Sequence, residues 1–227
     1  MQTFRPAVVP LLLSLFCACC SAAAPKVHTV TLGAIRRVPY TPPEAGAANK
    51  SEEATTLRVR ALFVDDRQKE WTVGELHDVT DRSFVVRRAL RINDSLPDEA
   101  PRWTWQPGPW LLVDRSTGHI AALHLPAFDP EISQVVWFRD YAAYCGISTT
   151  TRSLLVAVVV ELGARKPAVQ KAIENWPQPD APIPVCALSV WQRSPMRATI
   201  QATGGPAMTF EVVGTSSLIE DNEAPDP

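Results

Sequence analysis

The chain has 227 residues, 46% of them hydrophobic and 20% charged, so it can bury a core that needs no structural metal. Its net charge of −2 argues against a general nucleic-acid binder, which usually carries a concentrated basic face, and we expect no nucleic acid among its partners. The length suits one large domain or two small ones.

The first 23 residues have the composition of a secretory signal peptide. Arg5 provides a positive charge, residues 7–16 form an apolar core, and Ser21-Ala22-Ala23 suits cleavage. An apolar core of this length is too short to cross a membrane as a helix, which needs about 20 residues. We therefore predict that residues 1–23 are removed on export to the periplasm or the extracellular space, leaving a mature form without a transmembrane helix.

The five cysteines divide between this leader and the mature chain. Cys17, Cys19 and Cys20 lie within the leader, where a lipid anchor on Cys19 or Cys20 is an alternative to simple cleavage. Cys145 and Cys186 remain after cleavage. Because an exported chain folds in an oxidising compartment, we predict that these two form a disulfide. Two separate buried thiols are the alternative, since pairing does not follow from the cysteine count alone.

Four segments follow the leader in chain order. Residues 24–38 alternate between apolar and polar side chains and predict an N-terminal strand. Residues 39–56 are rich in Pro, Ala and Glu, with almost no large apolar residue, and predict a flexible linker. Residues 57–219 predict an all-β domain. Residues 220–227 are acidic and contain proline, which predicts a disordered tail.

Within the predicted domain, short runs rich in Val, Ile, Trp and Phe alternate with Gly, Pro, Asp and Asn, the pattern of strands and turns. Residues 114–118 predict a hairpin turn in which Gly118 has a positive φ. Residues 154–160 are continuously apolar and predict a strand covered on both faces. The best helical candidate, residues 167–175, fits a strand equally well. The predicted strands cover residues 57–64, 84–92, 103–105, 110–113, 119–125, 133–138, 141–145, 154–161, 168–173, 185–191, 198–202 and 208–213.

This pattern predicts an all-β fold of antiparallel meanders, propeller-like or a sandwich, with roughly a dozen short strands. Residues 133–173 suit one complete four-stranded meander, close to the period of a propeller blade. The mature chain holds about three or four such units, whereas closed propellers typically need 4–8 blades. An open meander, a sandwich and a truncated propeller-like fold all remain open at this point.

One aromatic segment carries a resemblance. Residues 137–146 read Trp-Phe-Arg-Asp-Tyr-Ala-Ala-Tyr-Cys-Gly, and they follow Trp110–Arg115 and Thr117-Gly118. Together these residues resemble a group of uncharacterised exported bacterial proteins, over roughly residues 80–172. The aromatic segment also looks like a blade of propeller proteins. The resemblance implies a coherent exported domain and brings no activity with it.

No residue set predicts a reaction mechanism. His119 and His124 lie near Asp114 and Asp129, but residues five apart on a strand point to opposite faces, and zinc needs three or four convergent ligands. Cys145 would be a nucleophile only with an activating neighbour, and a structural disulfide is the simpler use of it. We therefore assign no catalytic, metal-binding or cofactor-binding residue and expect no cofactor.

Three tryptophans are the best candidates for a ligand surface. Trp103, Trp105 and Trp110 flank a Gln-Pro-Gly-Pro segment, and strand alternation places Trp103 and Trp105 on one face. Exposed tryptophans stack on sugars or grip Pro-rich peptides. The alternative is that the rings belong to the core and pack on Trp137 or Leu112.

We expect an exported, non-catalytic binding or structural module of the cell envelope or the secreted fraction, with an envelope protein or a glycan as its partner. The alternative function is a hydrolase of unrecognised type that uses His119, His124, Asp129 or Cys145. The sequence contains no convergent nucleophile, base and orienting group, which favours binding over hydrolysis.

Overall fold

The computed structural model describes residues 28–40, 56–93, 95–148, 154–175 and 186–213. The predicted leader and acidic tail lie outside these ranges, as does most of the predicted linker. The described ranges contain strands and no helix, which confirms the all-β prediction.

Fourteen strands are present in the described ranges and are numbered here in chain order. They are β1 (Val30–Leu32), β2 (Arg36–Pro39), β3 (Thr56–Val64), β4 (Arg67–Asp78), β5 (Ser83–Asn93), β6 (Trp103–Asp114), β7 (Ile120–Ala122), β8 (Val136–Phe138), β9 (Tyr141–Ile147), β10 (Leu154–Glu161), β11 (Val169–Asn175), β12 (Val190–Gln192), β13 (Arg197–Gln201) and β14 (Ala207–Glu211).

The strands form three antiparallel sheets. The first sheet has the order β1-β3-β4-β5-β6-β7, with β2 also paired to β3. The second has the order β11-β10-β9-β8, and the third β12-β13-β14. The second sheet is the four-stranded meander predicted for residues 133–173, and the helical candidate at residues 167–175 is strand β11. A propeller-like arrangement is not confirmed.

The second sheet lies between the other two. One face of β9 and β10, which includes Cys145 and Leu155, packs against Ala198 and Ile200 of the third sheet. The opposite face, which includes Tyr144 and Val158, packs against Val85 and Trp110 of the first sheet, together with neighbouring apolar side chains. This placement explains the continuous apolar run of β10, because a strand with neighbours on both faces needs apolar side chains at every position.

The first sheet curls back on itself around its own core. The backbone N–H of His28 donates to the carbonyl of Ser116, and Tyr40 forms an isolated bridge with Trp105, so both ends of the N-terminal segment reach β6 or the turn after it. The predicted single N-terminal strand is therefore two strands, β1 and β2. Large apolar side chains fill the inside of the curl: Leu62, Phe84, Val86, Leu111 and Val113.

Strand β6 corrects the prediction of two strands separated by a turn. It continues from Trp103 to Asp114 through Pro107 and Pro109. Strand β5 pairs along nearly all of β6, whereas β7 pairs only with its last part, so the two prolines lie where β6 has no second neighbouring strand. Proline is tolerated at such an edge because no ladder hydrogen bond requires its missing N–H.

Strand β4 was not predicted. Its sequence begins with charged and polar residues and contains Gly74, a composition that usually marks a loop. It follows a tight turn in which both Asp65 and Asp66 have positive φ, a conformation that Asp tolerates better than most residues. Cross-strand pairing to β3 and β5, rather than local propensity, makes this segment a strand.

Candidate functional site

The predicted disulfide between Cys145 and Cys186 is formed, with an S–S distance of 2.03 Å. Cys145 lies in β9 of the middle sheet, and Cys186 bridges to Ala202, which directly follows β13, the central strand of the third sheet. Both residues are buried. The bond therefore links two layers covalently, and it occupies the Cys145 sulfur that the alternative hydrolase would need as a thiol.

The structure separates the three tryptophans proposed as a ligand surface. Trp103 is 46% exposed, whereas Trp105 and Trp110 are each 9% exposed. The Trp105 ring packs edge-to-face on Trp71, with a centroid distance of 5.3 Å. The Trp110 ring packs in the same way on Trp137, at 5.5 Å. Two of the three rings are therefore part of the core, and only Trp103 offers its ring to a partner.

The exposed ring of Trp103 is held by a cation. The guanidinium of Arg91 lies 4.5 Å from the Trp103 ring centroid, which is a close cation–π contact. The register explains this contact, since Arg91 pairs with Trp105 and Asn93 pairs with Trp103, so these four side chains share one face of the hairpin. The contact restricts the ring before any partner binds.

Two further apolar side chains are exposed at this end of the β5–β6 hairpin. Leu96 in the connection is 68% exposed, and Ile92 is 37% exposed. Ile92 pairs with Thr104 and therefore lies on the face opposite Trp103. We call Arg91, Ile92, Leu96 and Trp103 the hairpin tip.

Asn93 organises the connection at the base of this tip. Its side-chain Oδ1 accepts hydrogen bonds from the backbone N–H of Ser95, at 3.3 Å, and from the backbone N–H of Arg102, at 2.9 Å. The Ser95 hydroxyl donates to the same oxygen at 3.0 Å. One side chain thus ties both ends of the connection together, which limits the number of conformations available to the exposed residues.

The candidate acid–base residues do not converge. His119 and His124 are both exposed, and no group of three His, Cys, Asp or Glu residues in the described ranges is arranged to hold a metal ion. Asp114 accepts hydrogen bonds from the backbone N–H groups of Ser116 and Thr117, and these bonds lower the pKa of its carboxyl. Asp129 likewise accepts from backbone N–H groups in its own turn. Both carboxylates satisfy turn backbones.

Two histidine contacts escaped the sequence reasoning because their partners are distant in the chain. His28, which precedes β1, has its Nδ1 2.8 Å from Oδ2 of Asp65 in the turn between β3 and β4. The His77 ring stacks on Trp137 and its Nε2 donates to the carbonyl of Arg139 at 2.7 Å. Local spacing carries no signal for either pair, since both depend on strands meeting in three dimensions.

The aromatic segment that carried the resemblance connects the layers. Trp137 contacts Trp110 of the first sheet, while the next residue, Phe138, stacks on Trp191 of the third sheet with a centroid distance of 5.5 Å. The buried hydroxyl of Tyr144 donates to the carbonyl of Pro126 at 2.6 Å. Because side chains alternate between the two faces of a strand, successive aromatic rings of this segment contact different neighbouring sheets. The segment therefore contributes to packing between the layers.

The three tyrosines predict a loss of stability in alkali. Burial raises the pKa of Tyr40, Tyr141 and Tyr144 above the usual value, with the largest rise at Tyr144. Because these hydroxyls ionise first in the unfolded chain, at a pH of about 10, their stabilising effect is complete below that pH and is lost as the pH rises above it.

We expect the Tyr144→Phe variant to lose about 1 kcal/mol of its free energy of unfolding at pH 8, because it lacks the hydrogen bond of the hydroxyl. The variant should then lose less stability than the wild type between pH 8 and pH 11 in urea unfolding. An equal loss in both proteins would contradict the role of Tyr144.

Comparisons of this chain with models of protein families, with curated proteins and with solved structures find no significant match. Within the residues described here, none forms a helix that could cross a membrane. The hairpin tip and the surfaces of the three sheets are therefore the features of the molecule that bear on its function.

Proposed function

We propose that this protein is an exported binding module of the cell envelope or the secreted fraction, which recognises a protein partner through the hairpin tip. The observation that carries the proposal is the joint exposure of Leu96 and Trp103, with Arg91 stacked on the Trp103 ring. The buried Cys145–Cys186 disulfide and the composition of residues 1–23 support export.

The hairpin tip has the composition of an interface hot spot. Tryptophan and arginine are the residues that most often carry the binding energy of protein interfaces. A ring held by a stacked guanidinium loses little conformational freedom on binding, so more of its contact energy contributes to affinity. Isolated exposed apolar residues are common on protein surfaces, whereas three of them occur together at this hairpin end.

The shape of the tip favours a protein over a glycan. A sugar ring stacks on one flat aromatic face, whereas this tip exposes a large apolar side chain on each face, Trp103 on one and Ile92 on the other, with Leu96 in the connection between the strands. A hairpin end with an apolar side chain on each face fits a groove that contacts it from two sides. We therefore expect a partner protein with an apolar groove.

The test is the loss of partner binding when the tip is truncated. We expect the double substitution Trp103→Ala and Leu96→Ser to weaken retention of the partner at least about tenfold, because both anchors are removed. Immobilised mature protein is incubated with envelope extract and with the secreted fraction, and retained proteins are quantified by mass spectrometry. The same variants are screened on a glycan array.

Leu188 provides the matched control. It is 64% exposed and lies in the segment before β12, outside the hairpin, so Leu188→Ser should retain the same proteins as the wild type. Both variants should keep the wild-type circular dichroism spectrum, since the substituted side chains are exposed. Retention of the same proteins by the tip variant would overturn the proposal. Glycan binding that depends on Trp103, with no retained protein, would show that the partner class is wrong.

A further inference from the structure

A depression of about 250 Å³ opens in the first sheet where strands β3 and β4 separate. Val59 and Val73 form the last pair between these two strands, and residues 74–76 of β4 pair with neither β3 nor β5. Gly74 lies in this unpaired stretch, and an added Cβ there would contact nothing within 4 Å. The depression is large enough for one apolar side chain, since a cavity of about 150 Å³ already holds benzene.

The depression combines an exposed apolar side chain with charged ones. Ile35 lines it and is 51% exposed. Leu57 and Val73 also border it, but their side chains pack in the core on the opposite face of the sheet and take no part. Charged side chains complete the lining: Arg58, Arg60 and Glu75. The two arginines flank the buried Val59, so alternation directs both to the face away from that core.

Arg58 is the cation of the depression that lacks a carboxylate. Its cross-strand neighbour in β2 is Arg37, and like charges in directly opposed positions destabilise a sheet. In the part of the chain that the structure describes, Arg58 forms no ion pair. Arg60 lies 3.5 Å from Glu75, whose side chain is 86% exposed, and such an exposed pair is weak. A carboxylate from another molecule would therefore relieve the repulsion between the two opposed arginines.

The connection between β5 and β6 supplies the complementary groups. Leu96 of the hairpin tip is 68% exposed, and its carbonyl accepts a hydrogen bond from the backbone N–H of Glu99 at 3.2 Å. This bond closes a turn that keeps Asp98 and Glu99 beside Leu96. Both acidic residues are exposed, and neither forms an ion pair within the described ranges. The tip thus presents an apolar side chain with negative charge next to it.

We propose that the hairpin tip of one molecule inserts into the depression of a second copy of this chain. Leu96 packs against Ile35, and the carboxylates of Asp98 and Glu99 pair with Arg58. A second copy is favoured as the partner because both halves of the contact, opposite in charge and each partly apolar, are present on this chain. The inference rests on the proposed function and names its partner, since the groove that receives the tip is then the chain's own.

The geometry of this contact determines the kind of assembly. The tip and the depression are different surfaces of one molecule, so the contact is head-to-tail. Each bound copy still presents a free tip or a free depression, and further copies add in the same way until a ring closes or a filament grows.

Analytical ultracentrifugation of the mature protein over a range of concentrations tests the proposal. We expect the weight-average mass of the wild type to rise with concentration, and added salt to reduce this rise because it screens the charge pairs. The tip variant, Leu96→Ser with Trp103→Ala, and the depression variant, Arg58→Glu, should each associate at least about tenfold more weakly. Arg67→Glu is the matched control, because Arg67 is an exposed arginine of the same sheet outside the depression. It should assemble like the wild type.

Mixing the two variants distinguishes a head-to-tail contact from a symmetric one. The tip variant keeps an intact depression, and the depression variant keeps an intact tip. An equimolar mixture should therefore form heterodimers and nothing larger. Both variants should keep the wild-type circular dichroism spectrum, since the substituted side chains are exposed.

Four results would overturn the proposal. A wild type that stays monomeric at every concentration would do so, and retention of a different protein by its tip would then leave the proposed function intact. Assembly of the tip variant as strong as that of the wild type would show that another surface joins the copies. A mixture without heterodimers would show that the tip does not meet the depression. Retention of a different protein that depends on Arg58, by a monomeric wild type, would assign the depression to another partner.

Discussion

Gly146→Ala should lower the free energy of unfolding by about 3 kcal/mol or more, at the upper end of the cost of overpacking a core. A Cβ at this position would lie 2.2 Å from the carbonyl oxygen of Ala127 and 2.9 Å from its carbonyl carbon. These atoms belong to the backbone, and the same carbonyl accepts a hydrogen bond from the N–H of Ile147 at 2.8 Å. The backbone at Gly146 and the backbone at Ala127 cannot move apart without breaking that hydrogen bond. A rotamer change cannot relieve the clash, because the atoms involved are a Cβ and the backbone. Urea unfolding followed by tryptophan fluorescence measures the effect.

Gly163→Ala is the matched control for this prediction. Gly163 has φ +80, and an added Cβ would contact nothing within 4 Å. The only cost there is the left-handed backbone conformation, about 1–2 kcal/mol for a non-glycine residue. Equal destabilisation by the two substitutions would contradict the close approach of the Ala127 carbonyl to Gly146 in β9.

Removal of the Cys145–Cys186 disulfide should have an effect of similar size. The bond joins residues separated by 41 positions. Cross-linking a loop of that length reduces the entropy of the unfolded chain by an amount worth about 3–4 kcal/mol. We expect the double variant Cys145→Ala and Cys186→Ala to lose about that much stability in urea unfolding. The double substitution avoids the free thiol that a single one would leave.

Two further measurements test the position of this bond. Dithiothreitol should shift the unfolding transition of the wild type toward that of the double variant and leave the variant unchanged. Amide hydrogen exchange should show the largest loss of protection in β13, because the bond ties the third sheet to the middle one, while β5 in the first sheet should change least. A uniform loss of protection over all three sheets would contradict this local role.

Some strands were predictable because their local pattern and their final environment agree. Strand β10 is apolar at successive positions and is covered on both faces, as predicted, and the turn at residues 114–118 has Gly118 at φ +64. Strand β4 was missed because its polar start and its glycine resemble a loop, and only pairing on both sides makes it a strand. Pro107 and Pro109 suggested a turn, but β6 has a free edge there that tolerates them.

The candidate site was predictable only in part. Composition singled out the tryptophans near the Gln-Pro-Gly-Pro segment, and alternation correctly placed Trp103 and Trp105 on one face of β6. Their exposure differs because the core ends between them: Trp71 of β4 covers Trp105, whereas no aromatic ring of the described residues packs on Trp103. The pairing of Arg37 with Arg58 likewise depends on a register set by strands far apart in the sequence.

The amino-acid sequence alone predicted the all-β class, the antiparallel meander of β8 to β11, and the pairing of Cys145 with Cys186, which the expectation of export favoured. These properties depend on side-chain periodicity and on residue counts, which are local or additive. The tertiary structure decided which tryptophan stays exposed, which arginines face one another and which sheet lies in the middle. Those outcomes depend on which surfaces meet, and burial is settled by contacts between residues that no local pattern connects.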